Sequence, residues 1–583
     1  MWRMQKYTSV PTVKQFTWLL SPLLFFVCWF NTAALAAVSP IPLLVEQCMA
    51  YRFPDKPFNH ASDSRTLAVK LERDLIGFFN INDRIKYYRQ FSLTYADRER
   101  LLQCQLYLAD ELALFFKSTQ FQSIRFKLAE SDNPDVQALA MRINRIANNT
   151  EAPKYKAQLH TAQAAFKQGV SSQSLSLNFA NNSCKLPQNK DATKGADFNG
   201  SLASYLIKQP DQQCRKEVWQ AYQARASIKN KSSLDLIKDL RQQQAKHYGF
   251  NDFASEQLDQ QWLSNPSLVA EFLRVQTQQI GIAPWDLGFV LSKARSTSVE
   301  PVLAEQWLIQ IAAKLEAFGI AVTPINERVY RAYLDGRLMG EIYLSHAKTI
   351  GVKRIRQLVV GQQFGQVELL LKPELDSYQQ QSAVIESMAK IITQFASGQP
   401  FYLNNTIGET QDTAQIDTLW LQQYLQNQLM PKLAADSREA IVLKYAKQLQ
   451  VFRAKVALNT YLAPGSLLKF DLHHAFTQAF SANWDNIKDA PYTFSAIVYE
   501  GPLYYQKIWQ QALANVIYQS TKDCQNQKLV FDYLVVNESS NSIANILQLL
   551  FDGPLTNDSF IKRTQHALNH QDQHPRRCSL LRK

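Results

Sequence analysis

The sequence predicts a mainly α-helical protein carrying one small antiparallel β-sheet, and three observations point there. Only 18 glycines and 22 prolines punctuate 583 residues, few turn formers for a chain of this length unless most of it is helical. Apolar residues recur at three- and four-residue steps along most of the chain, as in YADRERLLQCQLYLADELALFF from Tyr95 to Phe116, which is the spacing of one helical face. Strand-like patterning begins only at Val329, where Val329 to Leu334, the turn pair Asp335-Gly336 and Leu338 to Leu344 make a hairpin signal.

Taken in order, residues 1–36 carry Arg3, Lys6 and Lys14, no acid, an apolar run from Phe16 to Phe30, and Ala34-Leu35-Ala36 before Ala37. This reads as a secretory signal with an A-x-A cleavage site. Its apolar run is short for a membrane span, so no span is expected once it is removed. The remaining 60 basic and 50 acidic residues leave a mature chain near +10. In an exported chain that excess speaks for a solvated surface, an anionic envelope surface or an acidic peptide, not for nucleic acid. The expected location is periplasmic or secreted.

Six cysteines remain after the leader: Cys48, Cys104, Cys184, Cys214, Cys524 and Cys578. An even number in an oxidising compartment suggests disulfides. Six cysteines allow 15 connectivities; the expectation adopted is the three sequence-adjacent pairs, each closing a local loop. No C-x-x-C is present, so neither a thiol redox site nor a zinc knuckle is indicated.

Residues 37–150 read as an N-terminal helical region, ending in a linker at Asn148 to Pro153. A long amphipathic helix over Glu151 to Phe179 follows, then a polar loop from Asn181 to Gly200 that Cys184 could clip to Cys214. Helices continue from Ser201 to about Phe318. After the hairpin, Val352 to Val360 and Gln366 to Lys372 form a second strand pair across Gly361.

Next comes Ser377 to Gly398, the most strongly amphipathic stretch. Ser377 and Gln380 have the spacing of a capping box, Gly398 and Pro400 mark a stop, and Val384, Ile385, Met388, Ile391, Ile392 and Phe395 share one face. Glu386 lies near its middle. A loop to Asp412, helices from Ile416 to Tyr461 and on through Phe476, a loop near Asp489 to Tyr492, and a helix from Leu503 to Tyr518 follow. Leu529 to Asn537, LVFDYLVVN, looks like a strand. A last helix leads into a basic tail assigned to residues 546–583. No period of 20 to 50 residues is present, so the chain is not a solenoid.

Four segments then resemble the thimet oligopeptidase family, which includes neurolysin and oligopeptidase A. RKEVWQAYQARAS (Arg215 to Ser227) is similar to that family's R-x-x-x-Y-x-A-Y-x-x-R-A-S, with Trp219 for the first Tyr. AKHYGFNDFASEQL (Ala245 to Leu258) and the SNPSLVAEFL after it resemble the next family stretch. YLDGRLMGEIYLSHAK (Tyr333 to Lys348) matches L-x-G-x-x-Y-L-D through Leu338, Gly340, Tyr343 and Leu344. FSAIVYEGPLYYQKIW (Phe494 to Trp509) resembles the family's substrate-binding segment. They fall in the family's order across residues 151–545. The resemblance implies a zincin-like, two-lobed fold whose deep channel encloses the Ser377 helix, and a zinc-dependent peptidase activity.

It also implies where that activity should sit, and there the sequence departs. The family's H-E-F-G-H places two His at i and i+4 on one helix face to bind zinc, with a Glu between them to activate water. The matching residues are Ile385, Glu386, Ser387, Met388 and Ala389. Only the Glu is kept, a vestigial general-base position, while Ile385 and Ala389 offer no lone pair. The family's third ligand, a Glu about 25 residues on, falls in a stretch with no Glu, where only Asp412 or Asp417 could replace it by a shift in register. On the substrate side, the family's His falls near Ser495, its first Tyr near Glu500 and its last near Lys507.

Tyr504 is retained, and Tyr504 and Tyr505 are the candidates for a surviving peptide-binding wall. Packing is the alternative for both and for Trp509. His566, His570 and His574 share a helical spacing but belong to a polar segment before Pro575, and His473-His474 read as surface residues. The expected function is therefore a metallopeptidase relative without metal ligands, a pseudopeptidase that binds peptides or an envelope partner and needs no cofactor. Two alternatives stay open: an active zinc oligopeptidase with relocated ligands, such as Glu386 with Asp417 and a distant His, and a periplasmic scaffold with a filled channel.

Overall fold

Short polar side chains set most of the helix starts. Asp63 accepts the N–H groups of Arg65 and Thr66, Thr94 that of Asp97, Ser118 that of Phe121, and Asn265 that of Leu268. Each satisfies a backbone donor that a first helical turn leaves unpaired. The computed structural model describes residues 39–53, 63–148, 153–171, 184, 198–405, 411–538, 541–551 and 556–569. The signal segment, the linker's central residues, most of the Asn181 to Gly200 loop, His570, His574 and Cys578 lie outside the described residues.

The N-terminal region consists of α1 (Ile41–Met49), α2 (Ser64–Tyr88), α3 (Tyr95–Lys117), α4 (Thr119–Ala129) and α5 (Pro134–Asn148). They share a core of their own, which includes Leu71, Phe78, Leu101, Leu108, Phe121 and Leu139. A Cys48–Cys104 disulfide ties α1 to α3, and Cys184 is bonded to Cys214. These are two of the three expected pairs. Cys524 is disulfide-bonded as well.

The larger body begins with α6 (Pro153–Val170), α7 (Phe198–Lys208), α8 (Gln212–Ala224), α9 (Ser227–His247), α10 (Phe253–Leu258), α11 (Pro266–Val275), α12 (Leu287–Lys293) and α13 (Ala304–Leu315). The sheet follows. A two-residue strand β1 (Val302–Leu303) pairs with β7 (Glu374–Leu375). Between them, β2 (Ile320–Asn326), β3 (Val329–Leu334), β4 (Arg337–His346), β5 (Gly351–Arg356) and β6 (Gly365–Leu371) form a five-stranded sheet in the order β2-β3-β4-β6-β5.

Both expected strand pairs are present. Asp335 and Gly336 have φ of 47° and 82°, the double left-handed turn that suits a tight hairpin. The two hairpins join through β4 and β6, which run parallel while the other pairings are antiparallel. Strand β2 escapes a reading by alternation because only Ile320 of its seven residues is buried and Pro324 lies within it.

The central helix, α14 (Tyr378–Ala396), packs on this sheet through Phe395. Gly340 and Gly365 stand opposite each other across β4 and β6. A Cβ on either would come 2.5 Å from the Phe395 ring, so the ring rests where two side chains are missing. This gives a physical role to Gly340, one of the residues that carries the family resemblance. The expected capping box does not form: the Ser377 side chain caps nothing, while Gln380 Oε1 accepts the N–H of Asp376, one residue earlier.

Helices α15 (Ile416–Leu429), α16 (Arg438–Tyr461), α17 (Leu472–Phe480), α18 (Ala496–Tyr499) and α19 (Gln506–Thr521) complete the core. Leu529 to Asn537 is a correction. It is not a strand but α20 (Gln527–Phe531) running into a π-helical turn at Asp532–Val536. Asn526 caps it by accepting the Leu529 N–H, and the apolar run is buried on several sides at once, which removes the need for alternation. Two further helices, α21 (Ile543–Leu550) and α22 (Asn557–Asn569), bury Leu547, Phe560 and Ile561, so the segment expected to be a tail from 546 is folded onto the body as far as 569. The whole is mainly α and two-lobed, with one small sheet.

Candidate functional site

Helix α14 is enclosed almost all round. Ile385 and Ala389, the residues that the family resemblance matches to metal ligands, are each 0% exposed, and Val384, Ser387, Met388, Ile391 and Ile392 are buried with them. Glu386 is exposed and forms no ion pair among the described residues. The apolar residues of the helix are packed inside, and the carboxylate is left open to solvent.

Two hydrogen bonds fix the register between α14 and α15. Gln426 Nε2 donates to the Ser382 hydroxyl at 3.0 Å, and the Thr393 and Thr418 hydroxyls lie 2.7 Å apart. Asp417 adjoins Thr418 and so belongs beside Thr393, seven residues beyond Glu386, or about 10 Å along the axis. Its carboxyl is buried, which pushes its pKa up to about 6.

Asp412 is 0% exposed and fully engaged, accepting the Trp262 N–H at 3.0 Å, the Leu263 N–H at 3.1 Å and the Tyr505 hydroxyl at 2.8 Å. It is a clamp between three segments. The residues present do not fit a zinc site of the family kind. Among the described residues, no group of three or more His, Cys, Asp or Glu is gathered as a metal ion would need.

The substrate-side candidates also separate. Tyr505 is 0% exposed, and burial, followed by the Asp412 carboxylate, holds its pKa well above the usual tyrosine value. It is a packing residue, which corrects its place in a peptide-binding wall. Trp509 is likewise buried, edge-on to Phe272 at 5.1 Å. Tyr504 is half-buried beside Phe494, with ring centroids 5.3 Å apart; burial raises its pKa and the neighbouring Arg453 guanidinium lowers it. His473 and His474 are exposed at the start of α17. Of the three C-terminal histidines only His566, on α22, is described.

What the segment does line is a cleft of about 410 Å³. Its walls come from Arg241 on α9, Phe253 and Gln257 on α10, Ala414 and Gln415 just before α15, and Tyr499, Glu500, Leu503, Gln506, Lys507 and Gln510. None belongs to α14. Glu500 and Lys507 stand where the family resemblance places tyrosines, so the positions that looked like losses carry the charged groups of an open cavity. Arg241 gave no signal in the sequence, since its environment is made by Tyr461 and Val498 from distant parts of the chain.

The profile of peptidase family M3 matches residues 205–305. No curated protein matches the sequence. Among solved structures, a Chlamydophila abortus protein classed as a peptidase aligns with a TM-score of 0.54 at 14% identity, covering 91% of this chain and 96% of its own. A protein designated CHT aligns with a TM-score of 0.50 at 9% identity, covering 86% and 99%. A Pyrococcus furiosus carboxypeptidase aligns at 0.43 and 10% identity, covering 88% and 99%. At these identities the first two likenesses establish a shared fold. No helix among the described residues is long and apolar enough to cross a membrane.

Proposed function

From its standing as a divergent relative of peptidase family M3, we propose that this chain is a catalytically silent member, exported, that binds peptides without cleaving them. One observation carries the reading: Ile385 and Ala389, which the family resemblance matches to the two histidines of the zinc helix, are packed at 0% exposure. A metal-bound water needs ligands with lone pairs and an open coordination position, and a filled apolar face supplies neither. Glu386, on the outer side, has no water to activate. The disulfide-bonded cysteines fit a compartment outside the cytoplasm, which agrees with the secretory leader read at residues 1–36.

A rearranged zinc site draws no support from the geometry, because Asp412 is committed to three donors and Asp417 lies about two turns from Glu386 along the helix. A purely structural role is the second reading, favoured by the close packing around α14. The open cleft lined by Arg241, Glu500 and Lys507 supports peptide binding over it. The test is elemental analysis of the purified protein together with cleavage of a quenched peptide library. Substoichiometric zinc and no chelator-sensitive cleavage are expected; stoichiometric zinc with chelator-sensitive turnover would overturn the proposal.

A further inference from the structure

Resting on the reading of a peptide-binding protein, we infer that the cleft between α9, α10 and the Tyr499–Gln510 segment receives the C-terminal carboxylate of a short peptide, with Arg241 and Lys507 as its cationic wall.

Arg241 is 5% exposed. Its guanidinium donates to the Tyr461 hydroxyl at 2.6 Å and to the Val498 carbonyl at 2.7 Å, and lies over the rings of Phe253 and Tyr461 at 4.7 and 5.0 Å. All of these partners are neutral, and among the described residues the side chain forms no ion pair. A buried charge without a counter-charge is costly, yet this one lines an open cavity whose volume falls within the range of small-molecule sites. A guanidinium presents five N–H donors in a planar fork that matches a carboxylate, and its two protein acceptors leave donors over.

The backbone is shaped around the same group. Gly501 has a φ of +55°, and a Cβ there would lie 3.3 Å from Arg241 Nη1, so glycine lets the chain turn closely over the guanidinium. Lys507 is exposed and lines the same cavity. Glu500 is there as well, an exposed residue whose pKa partial burial of the carboxyl raises while Lys507 opposes the shift. A wall with both signs of charge disfavours a simple anion. It favours a dipolar ligand with its carboxylate at Arg241 and Lys507 and its amine at Glu500. Gln257, Gln415 and Gln506 add amide donors and acceptors suited to peptide bonds.

The experiment titrates the full mature protein with trialanine, with its C-terminal amide and with its N-acetyl form. The free acid is expected to bind, with the amide at least about tenfold weaker because a charge-assisted hydrogen bond is lost. Lys507→Ala should weaken the acid severalfold and leave the amide unchanged. Arg241→Lys keeps the charge without the fork and should also weaken the acid. Should that variant fail to fold, since Arg241 braces Tyr461 and Val498, the comparison of ligands on the unaltered protein still decides. Equal binding of acid and amide overturns the inference, and so does inorganic phosphate binding as tightly as trialanine. Absence of binding by all three peptides overturns it too, while leaving catalytic silence to be judged by zinc content and cleavage.

Discussion

The ring of Tyr402 lies flat on that of Phe79, with centroids 4.1 Å apart and planes 3° from parallel, while its hydroxyl donates to the buried Asp83 at 2.7 Å. Tyr402 follows closely on the end of α14 and is packed into the core of the N-terminal helices with Phe401 and Leu403. The strap leaving the central helix is thus held by the N-terminal region. Tyr402→Phe keeps the stack and removes the hydroxyl, leaving Asp83 with the Gln357 N–H and the Arg354 guanidinium. A loss of about 1.5 to 3 kcal/mol is expected, as for a hydrogen bond to a charged group, and urea unfolding measures it. An unchanged midpoint would show that the Gln357 N–H and Arg354 together satisfy Asp83.

The same joint carries a pH dependence. Glu72 is 1% exposed and accepts the Tyr402 N–H at 2.6 Å. Burial raises its pKa from 4.5 to about 7, with that hydrogen bond opposing the shift. A carboxyl raised in the folded state favours its protonated form, so its contribution is full below the unfolded value and is lost as pH rises through the folded one. The shift corresponds to roughly 3 kcal/mol between about pH 4.5 and pH 7 and above. Other groups titrate over this window, among them Asp417, so the informative quantity is the difference from Glu72→Gln. The glutamine keeps an oxygen for the Tyr402 N–H and has no proton to lose. The variant should gain on the parent as pH rises; parallel stability curves would refute the assignment.

Gly340→Ala tests the seat of α14 on the sheet. The added methyl meets Phe395 at 2.5 Å and the Gly365 carbonyl oxygen at 2.8 Å, and a backbone oxygen cannot swing aside. Overpacking of this kind costs about 1 to 3 kcal/mol. Pairing it with Phe395→Leu should recover part of the loss if the ring is the main obstacle, as thermal denaturation would show.

Restoring the family's ligand pattern should not restore a site. Ile385→His with Ala389→His puts two imidazoles into a region at 0% exposure, where each unpaired polar group costs about 1 to 3 kcal/mol in addition to overpacking. The double variant is expected to unfold at lower temperature and to bind zinc no more tightly than the parent, read by calorimetry with and without added metal. A zinc-dependent rise in its melting temperature would mean that the cavity can still form.

The sequence by itself determined the helical class, both strand pairs and the bounds of α14, because each rests on local periodicity or turn chemistry; among the 15 possible cysteine connectivities it could not choose, and the structure supplied Cys48–Cys104 and Cys184–Cys214. It also showed that Ile385 and Ala389 cannot ligate a metal, since that follows from residue type alone. Only the tertiary structure decided which way things face. Glu386 went outward because the apolar side of α14 was claimed by the sheet and α15, Tyr505 went inward because Asp412 waits there, and Leu529 to Asn537 became helical because its surroundings are apolar on several sides. The cleft was invisible for the same reason: Arg241 comes from a stretch distant from the segment that holds Glu500 and Lys507, and their meeting depends on long-range packing that no local pattern records.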